Sequence, residues 1–350
     1  MRFLASLLTT APLLLLRLAS AQLPQKDGST VVFGTSGTYP RAVRLADNSL
    51  LGTYTLADST NQSLVTVRST DNGASWAPLG TVVTNISAIH ELGNSYVHQL
   101  PDGKVLCAFR NHDLGNGRDA DPTYYRITVC LSEDLGETWR YLSTPAQMPG
   151  GPDGVWEPFL QNALDGSLQL YYSKETGSGG QDSILRRSTD GGKTWSAEQT
   201  FTGQDTNARD GMLGVARTAA NSASKVAIFE SGDANGHFTV HTMRTADDDA
   251  SWDSRGLVYE NETASAGAPQ IIRVGSRMVA SFGTNEDGGV WPQGAMKVMV
   301  STDQGKTWAS KTTVHVLPAM WAGLLALDDK SFLALYETGG TSYAQKMTFP

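Results

Sequence analysis

Two glutamates, Glu157 and Glu230, stand at the ends of apolar segments, in the contexts Val155–Pro158 (VWEP) and Ala227–Glu230 (AIFE). A glycosidic bond is cleaved by two carboxyl groups: one protonates the leaving oxygen, and the other attacks the sugar or activates water. Desolvation at the end of a buried strand raises the pKa of a carboxyl group and favours the acid role. The pair therefore predicts glycoside hydrolysis. The alternative is that either glutamate only orients an arginine or ends a strand.

The composition of the 350 residues disfavours most other chemistry. Six scattered His and two Cys lack the spacing of metal ligands, so we expect no metal and no cofactor. Cys107 and Cys130 are equally consistent with a disulfide and with two buried free thiols. The net charge of −8, without a run of like charges, disfavours nucleic acid and anionic membranes as partners. Thirty-six Gly, eight Trp and only 18% charged residues are typical of a β-rich chain with many tight turns.

A motif of the form Ser/Thr-x-Asp-x-Gly-x-Thr/Ser-Trp is repeated along the chain. Four copies are intact and one has Asp249 instead of Gly; they cover residues 69–76, 132–139, 188–195, 245–252 and 301–308. Their final Trp residues are 56 to 63 positions apart, which suits four short strands with their turns better than a helical repeat. We interpret this Asp-box as structural, because Asp accepts backbone N–H groups in a turn and Trp can pack one repeat against another.

A second repeat, in which a turn joins two apolar strands, gives the number of units. It occurs six times, at residues 41–54, 96–110, 158–172, 215–229, 269–282 and 323–336. Asp, Asn, Gly or Ser occupies each turn, as hairpins require. Six hairpins against five Asp-boxes mean that the last unit lacks its outer part, and Thr30–Phe33 can supply a missing strand. The prediction is an all-β fold, a six-bladed β-propeller closed into a ring.

The innermost strand of each blade lines the channel of a propeller, so polar residues near its start, or near the end of the second strand, can meet there. Candidate positions at these strand ends and in the loops beyond them are Arg41, Tyr54, Asp58, His98, Arg110, His112, Asp113, Glu157, Lys174, Glu175, Arg217, Glu230, Asn285, Glu286, Trp321 and Glu337. Glu157 opens the third blade and Glu230 closes the inner hairpin of the fourth. We therefore expect the two carboxyl groups to lie at the same face of the ring.

Residues 1–21 have the features of a secretory signal peptide. Arg2 precedes an apolar run, and Ala19–Ala21 (ASA) fits a cleavage site. The mature chain is then residues 22–350, a single catalytic domain whose net charge becomes −10 once the two Arg of the leader are lost. Three sequons agree with secretion, at Asn61, Asn85 and Asn261. We expect a secreted, extracellular, monomeric glycoprotein.

An Asp-box propeller with Pro40-Arg41 on its first inner strand and Leu335–Glu337 (LYE) in its last hairpin resembles the sialidase-like fold. The resemblance covers nearly the whole mature chain. It implies that Arg41 holds a substrate carboxylate and that Glu337 orients Arg41. The chain departs from sialidases where they have their nucleophilic Tyr, because Trp321 stands at that position and a Trp cannot be a nucleophile.

The closer resemblance is to the secreted fungal exo-1,5-α-L-arabinanases of glycoside hydrolase family 93, and four segments carry it: residues 109–113 (FRNHD), 156–158 (WEP), 173–176 (SKET) and 229–231 (FES). It implies a retaining mechanism in which Glu157 is the general acid/base and Glu230 the nucleophile. It also implies release of arabinobiose from the non-reducing end of linear α-1,5-L-arabinan, a neutral plant cell-wall polysaccharide. The residues expected to line the sugar subsites are Arg41, Asp58, Arg110, Asp113, Lys174, Trp321 and Glu337, with Trp321 as a stacking platform.

Two alternatives stay open from the sequence. One is a sialidase, and the other is a propeller that binds carbohydrate without cleaving it. The acidic mature chain suits a neutral polysaccharide better than an anionic sialoside. Three Trp lie outside the Asp-boxes and are therefore candidates for sugar contact, namely Trp156, Trp291 and Trp321; for Trp156, packing is the more expected role.

Overall fold

The computed structural model describes residues 23–115, 117, 121–177, 179–204, 206 and 208–350, and this part of the chain consists of β-strands joined by turns and loops. The predicted signal peptide lies outside it. Twenty-four strands follow in chain order: β1 Gln25–Lys26, β2 Val31–Gly34, β3 Gly37–Arg44, β4 Leu50–Ala57, β5 Asn61–Ser69, β6 Ala77–Ile86, β7 His90–Gln99, β8 Val105–Leu114, β9 Pro122–Ser132, β10 Arg140–Pro149, β11 Val155–Asn162, β12 Leu168–Glu175, β13 Gln181–Ser188, β14 Gln199–Thr202, β15 Arg209–Arg217, β16 Lys225–Gly232, β17 Phe238–Thr245, β18 Asp253–Tyr259, β19 Ala266–Val274, β20 Arg277–Thr284, β21 Gly294–Ser301, β22 Ala309–Ala326, β23 Ser331–Thr338 and β24 Thr341–Thr348.

Consecutive strands pair antiparallel to form six blades, each running from its inner to its outer strand. The first blade is β3–β6, the second β7–β10, the third β11–β14 and the fourth β15–β18. The third and fourth are joined by one parallel bridge between Gln181 and Arg209. The fifth blade is β19–β21 with the first part of β22. The second part of β22 is the innermost strand of the sixth blade, beside β23 and β24.

The ring closes between the two ends of the chain. β2 pairs with β24, with Val31 opposite Ala344, and so supplies the strand that the sixth blade lacks. β1, which the sequence does not predict, pairs with the same strand. Each innermost strand contacts the innermost strand of the next blade, and β22 contacts β3. The prediction of an all-β, six-bladed propeller is confirmed.

The hydrophobic core is divided among the six junctions between neighbouring blades. Each junction holds one cluster of buried side chains contributed by the two blades that meet there. The Trp that ends each Asp-box packs at the junction with the preceding blade: Trp76, Trp139, Trp195, Trp252 and Trp308. The Trp thus packs one blade against another, as the motif indicates.

The Asp of each Asp-box is held by its own turn. In the first box the hydroxyls of Ser75 and Ser69 donate to Asp71 at 2.6 and 2.7 Å, and the Ser75 N–H donates at 2.9 Å. Because these bonds stabilise the ionised carboxylate, they lower the pKa of Asp71 to about 2. The equivalent Asp of the other four boxes also has a pKa of about 2. A carboxylate in this state stabilises a turn and is unsuited to acid catalysis near neutral pH.

Asp249 replaces the Gly of one Asp-box at a fully buried position. Its carboxylate accepts the Tyr171 hydroxyl of the third blade and pairs with Lys225 Nζ at 2.7 Å. Lys225 is itself fully buried. A buried charge is tolerated only when it is paired and hydrogen-bonded. The altered box is therefore compensated by two partners within the junction.

The innermost strand of every blade is interrupted by a β-bulge at one equivalent position. The residue there has a left-handed backbone in all six blades, with φ between 44° and 59°. The pairing with the second strand shifts register at the same place. A bulge re-aims side chains and is favoured next to active sites. We call these residues the bulge ring: Tyr39, Asn94, Glu157, Met212, Ala268 and Trp321.

Cys107 and Cys130 face each other on β8 and β9 and are both buried free thiols. Burial raises the pKa of the Cys130 thiol to about 11. The described ranges contain no helix long and apolar enough to cross a membrane. They also contain no group of three or more His, Cys, Asp or Glu placed to hold a metal ion.

Candidate active site

A pocket of about 280 Å³ lies at the bulge ring, and all six residues of the ring line it. The other lining residues are Thr38, Thr55, Gln62, Leu92, Gly93, Arg110, Glu230, Gly267, Gly283, Trp291, Pro292 and Met320. Every blade contributes at least one residue. The pocket therefore exists only when the ring is complete.

A second repeated position supplies Glu230. On the second strand of each blade, one residue pairs with the residue just before the bulge; these are Thr55, Arg110, Ser173, Glu230, Gly283 and Glu337. We call this the second-strand position. Because successive residues of a strand point to opposite faces, the register of this pairing decides which side chains turn toward the channel. In the fourth blade Gly211 pairs with Glu230, which brings the carboxylate to the bulge ring.

Glu230 is held by the backbone of the next blade. Its Oε2 accepts the N–H of Ala268 at 2.7 Å. Burial raises the pKa of Glu230 to about 7, against the lowering effect of this N–H and of the Arg209 charge. Gly267 makes the approach possible, since a Cβ on Gly267 would lie 2.3 Å from Glu230 Oε2. A backbone donor favours the ionised form, which is the form of a nucleophile.

Glu157 reaches the pocket from the bulge ring itself, with φ 44°. Burial and, to a smaller extent, the neighbouring Glu230 carboxylate raise the pKa of Glu157 to about 7, against the lowering effects of Arg110 and the Ser173 hydroxyl. Its Oε2 is buried without a hydrogen-bond partner in the described part of the chain. The structure thus brings the two predicted carboxyl groups together in different surroundings. Both pKa values are about 7, but the Ala268 N–H favours the ionised form of Glu230, and the Glu230 charge favours the protonated form of Glu157.

Apart from Glu230 of the fourth blade and Tyr39 and Leu92 of the first two, the polar lining residues come from the first three blades and the apolar ones from the last three. The first three blades supply its polar side, which we define as Thr55, Asn94, Arg110 and Glu157. The last three blades supply its apolar side: Met212, Ala268, Trp291, Pro292, Met320 and Trp321. The Trp321 ring lies 5.8 Å from the Tyr39 ring, and Trp291 stacks on Phe238. A ligand with one apolar face and one hydroxyl-bearing edge matches this division.

Arg110 is the one Lys or Arg among the described lining residues. Its Nη2 donates to Glu91 Oε1 at 2.8 Å, and its guanidinium lies 5.1 Å from the Trp156 ring centroid. Trp156 packs behind it, donating to Glu175 at 2.9 Å, and does not line the pocket. Glu91 therefore offsets the one cation that faces the ligand.

Two predicted subsite residues lie behind the pocket wall. Arg41 is 3% exposed; its Nη1 donates to the Trp321 carbonyl at 2.9 Å, and its guanidinium lies 4.0 Å from the Tyr39 ring centroid. Glu337 is 5% exposed and accepts the Gly340 N–H at 2.7 Å. Arg41 therefore braces two residues of the bulge ring, and Glu337 holds a turn. Neither belongs to the lining.

Three further predicted subsite residues are placed by other interactions. Asp58 accepts the N–H groups of a tight turn at 2.7 Å, and Asp113 pairs with Arg126. Lys174 Nζ binds Glu198 at 2.6 Å, because Lys174 is one residue beyond the second-strand position and points to the opposite face of β12. None of the three lines the pocket, so the structure brings together Glu157, Glu230, Arg110 and Trp321 of the predicted set.

The sequence did not single out most of the bulge ring. Arg41 and His98 are predicted at the channel in the first two blades, whereas Tyr39 and Asn94 line the pocket there. A usable signal was the spacing to the hairpin turn. Tyr39, Asn94 and Glu157 each lie eight positions before the Asp that begins the turn of their own hairpin. The position of Glu157 therefore predicts the equivalent positions in the first two blades.

Comparison with known proteins decides the classification. The model of the BNR repeat-like domain matches residues 146–339, more than half of the chain. The chain belongs to the BNR repeat-like domain family. The sialidase of Micromonospora viridifaciens is 25% identical to it over 311 residues, which are 81% of this chain and 46% of that protein. The BNR chain thus spans about half the length of the curated relative that it matches.

Solved structures show the same BNR propeller. One is the α-L-arabinofuranosidase of Fusarium graminearum, of glycoside hydrolase family 93, in complex with arabinobiose; it has a TM-score of 0.72 and 21% identity, covering 93% of this chain and 98% of that one. Another is the α-L-arabinanase of Penicillium chrysogenum, also complexed with arabinobiose, with a TM-score of 0.70, 18% identity and the same coverage. At these identities the likeness shows a shared fold. The BNR repeat-like domain and the related sialidase confirm the predicted place in the sialidase-like propeller superfamily.

Replacing Gly267 in this BNR propeller by Ala is expected to lower kcat/KM by at least about 100-fold, the scale of effect when a reacting group is misplaced by about 1 Å. The added Cβ would lie 2.3 Å from Glu230 Oε2 and 2.9 Å from the Trp291 ring, so the carboxylate has to move. Initial rates on a chromogenic glycoside measure the loss. Gly283→Ala controls for stability, because its Cβ would meet only the Gly267 carbonyl, at 3.9 Å. Wild-type kinetics in Gly267→Ala would contradict the assigned geometry.

Proposed function

We propose that the protein is a retaining, exo-acting glycoside hydrolase that releases arabinobiose from the non-reducing end of linear α-1,5-L-arabinan. The observation that carries the proposal is the pair of carboxyl groups in one pocket, Glu157 and Glu230, each with a pKa raised to about 7. Neither carboxylate forms an ion pair within the described ranges. Both are therefore available for proton transfer and bond formation.

In the first step the protonated Glu157 gives its proton to the glycosidic oxygen while Glu230 attacks the anomeric carbon. The carbon–oxygen bond to the leaving sugar breaks, that oxygen keeps the bonding pair and takes the proton, and a glycosyl ester forms on Glu230. In the second step Glu157, now ionised, removes a proton from water, and the water oxygen displaces Glu230. Two displacements at one carbon return the original anomeric configuration, and both side chains regain their starting charges.

The apolar side of the pocket supports a neutral furanose, since Trp291 and Trp321 offer flat surface to a sugar ring. The two family relatives named above were each solved with arabinobiose, which supports arabinan as the polymer. Exo action is supported by the bulge ring, because residues from all six blades line one pocket that can receive a chain end. Secretion, glycosylation and a monomeric state belong to the same proposal.

A sialidase is the second candidate, favoured by the curated relative. A sialoside carries a carboxylate, and this pocket presents two carboxyl groups against Arg110, whose charge Glu91 already offsets. Arg41 is turned to the backbone of the bulge ring. The electrostatics of the described lining therefore disfavour an anionic sugar.

One experiment separates the candidates. The protein is incubated with debranched arabinan and, separately, with a sialyl-lactose, and the released sugars are identified by chromatography and mass spectrometry. Arabinobiose as the first and main product is the expected result. Mixed oligomers at early times would indicate endo cleavage, free sialic acid would establish the sialidase, and binding without release would identify a non-catalytic propeller. Proton NMR of the first turnovers gives the anomeric configuration, and inversion would contradict retention.

A further inference from the structure

Two neutral side chains on the polar side of the pocket each have an oxygen atom without a hydrogen-bond partner in the described part of the chain. Thr55 is 4% exposed and Asn94 is 7% exposed, and both line the pocket. Thr55 Oγ1 and Asn94 Oδ1 have no partner in the described part of the chain. A buried polar atom left unpaired costs about 1–3 kcal/mol, so such atoms call for a functional explanation.

The propeller repeat places these two residues at repeated positions of neighbouring blades, on strands that contact each other. Thr55 occupies the second-strand position of the first blade, and Asn94 belongs to the bulge ring of the second. The equivalent neighbours in the fourth and fifth blades are Glu230 and Ala268, joined by a 2.7 Å hydrogen bond. β4, which carries Thr55, also contacts β7, which carries Asn94.

Backbone geometry does not explain the choice of Asn at this position. Asn tolerates a left-handed conformation better than most residues, so it could serve the bulge alone. The same backbone in the other blades is adopted by Tyr39, Met212, Ala268 and Trp321. The bulge therefore does not require an amide, and the amide is explained by what it faces.

We propose that Thr55 and Asn94 form a hydroxyl-recognition pair that binds one hydroxyl group of the glycon, the sugar cleaved from the chain end. The inference rests on the proposed function and names the residues that select the sugar. A hydroxyl can donate to the amide oxygen or accept from the amide nitrogen, so either orientation of the Asn94 amide serves. The Tyr39 hydroxyl lies beside that amide and restrains it. Both groups are neutral, which suits a sugar hydroxyl and not a carboxylate.

The test combines side-chain variants with substrates that lack single hydroxyl groups. The substrates are 4-nitrophenyl α-1,5-L-arabinobioside and its analogues. Each analogue lacks one hydroxyl group of the arabinose ring that is attached to nitrophenol. Thr55→Val removes the hydroxyl with little change of shape, and Asn94→Gly removes the amide while keeping the left-handed backbone. Thr53→Val is the matched control, because the Thr53 hydroxyl on the same strand is satisfied by Ser95 at 3.0 Å and is outside the pocket.

In the wild type, one deoxy analogue is expected to lose about 10- to 100-fold in kcat/KM relative to the parent, the loss expected when a buried polar group is left unpaired. In Thr55→Val and Asn94→Gly the ratio of kcat/KM for the parent to kcat/KM for that analogue is expected to fall toward one, because the partner of the missing hydroxyl is gone. Thr53→Val should keep the wild-type ratio. Equal losses on every substrate in both variants would overturn the pair. If Asn94→Gly fails to fold, Asn94→Ala replaces it, since Ala268 adopts the same backbone.

The two proposals fail in different ways. No turnover of the parent arabinobioside by the wild type overturns the proposed function. If the wild type hydrolyses the parent, and the variants keep the wild-type ratio of kcat/KM between parent and deoxy analogue, the proposed function stands and the hydroxyl-recognition pair is overturned.

Discussion

Glu230→Gln is expected to lower kcat on linear arabinan by about 10⁴-fold or more while leaving the fold intact, because removal of a nucleophile eliminates the covalent step. The substitution keeps the shape of the side chain. The amide oxygen of Gln can still accept the Ala268 N–H that holds Glu230 Oε2 at 2.7 Å. It also removes a buried negative charge, so the unfolding midpoint should be unchanged or higher.

The measurements are initial rates and thermal unfolding on the same preparation. Glu198→Gln is the matched control, because Glu198 pairs with Lys174 outside the pocket and should keep near wild-type turnover. Azide added to Glu230→Ala should restore turnover of a glycoside with a good leaving group and give the glycosyl azide of inverted configuration. Wild-type turnover in Glu230→Gln would show that another group is the nucleophile.

Glu157→Gln is expected to lower turnover of arabinan by about 10²- to 10⁴-fold, the range for loss of general acid–base catalysis. A 4-nitrophenyl glycoside should suffer less in its first step, because its leaving group departs without a proton. The second step still needs the base, so the glycosyl ester should accumulate and give a burst of nitrophenolate. Equal losses on both substrates, without a burst, would contradict the assignment.

The same variant has a distinct pH dependence. In the proposed mechanism Glu230 is ionised and Glu157 is protonated, so activity is expected to rise with pH as Glu230 loses its proton and to fall as Glu157 loses its own. Burial raises both pKa values to about 7, which places the optimum near neutral pH. In Glu157→Gln the alkaline fall should disappear while the acid limb stays. A retained alkaline limb would assign that titration to another group.

Much of the fold could be read from the sequence, because the features that set the number of blades are local. An Asp-box is a turn with its own hydrogen bonds, and a hairpin is marked by its turn residues, so neither needs long-range information. The strand β2 could be predicted as well, since six hairpins and five boxes leave one blade incomplete. Glu157 and Glu230 were found for a similar reason: a carboxylate at the end of an apolar strand is conspicuous.

The rest of the site depends on register, which composition does not reveal. A shift of one residue turns a side chain to the other face of its strand. That is why Lys174 and Tyr54 were predicted at the channel, where Ser173 and Thr55 hold the second-strand position. The bulges were also hidden, because Tyr, Met, Trp and Ala are not residues that indicate a left-handed backbone. In such a fold, tertiary packing imposes this conformation on whatever residue occupies the site.

The division of the core among the blade junctions has a consequence for how the activity can be lost. Each cluster of buried apolar side chains lies between two blades. A chain shortened by one blade would therefore expose two apolar blade faces, and we do not expect it to close into a smaller ring. The last junction forms only when β2, near one terminus, meets β24, near the other. Because the lining of the pocket that holds Glu157 and Glu230 is collected from all six blades, the proposed activity is expected to require every blade. We therefore expect a proteolytic fragment that lacks a blade to have neither a stable fold nor hydrolase activity.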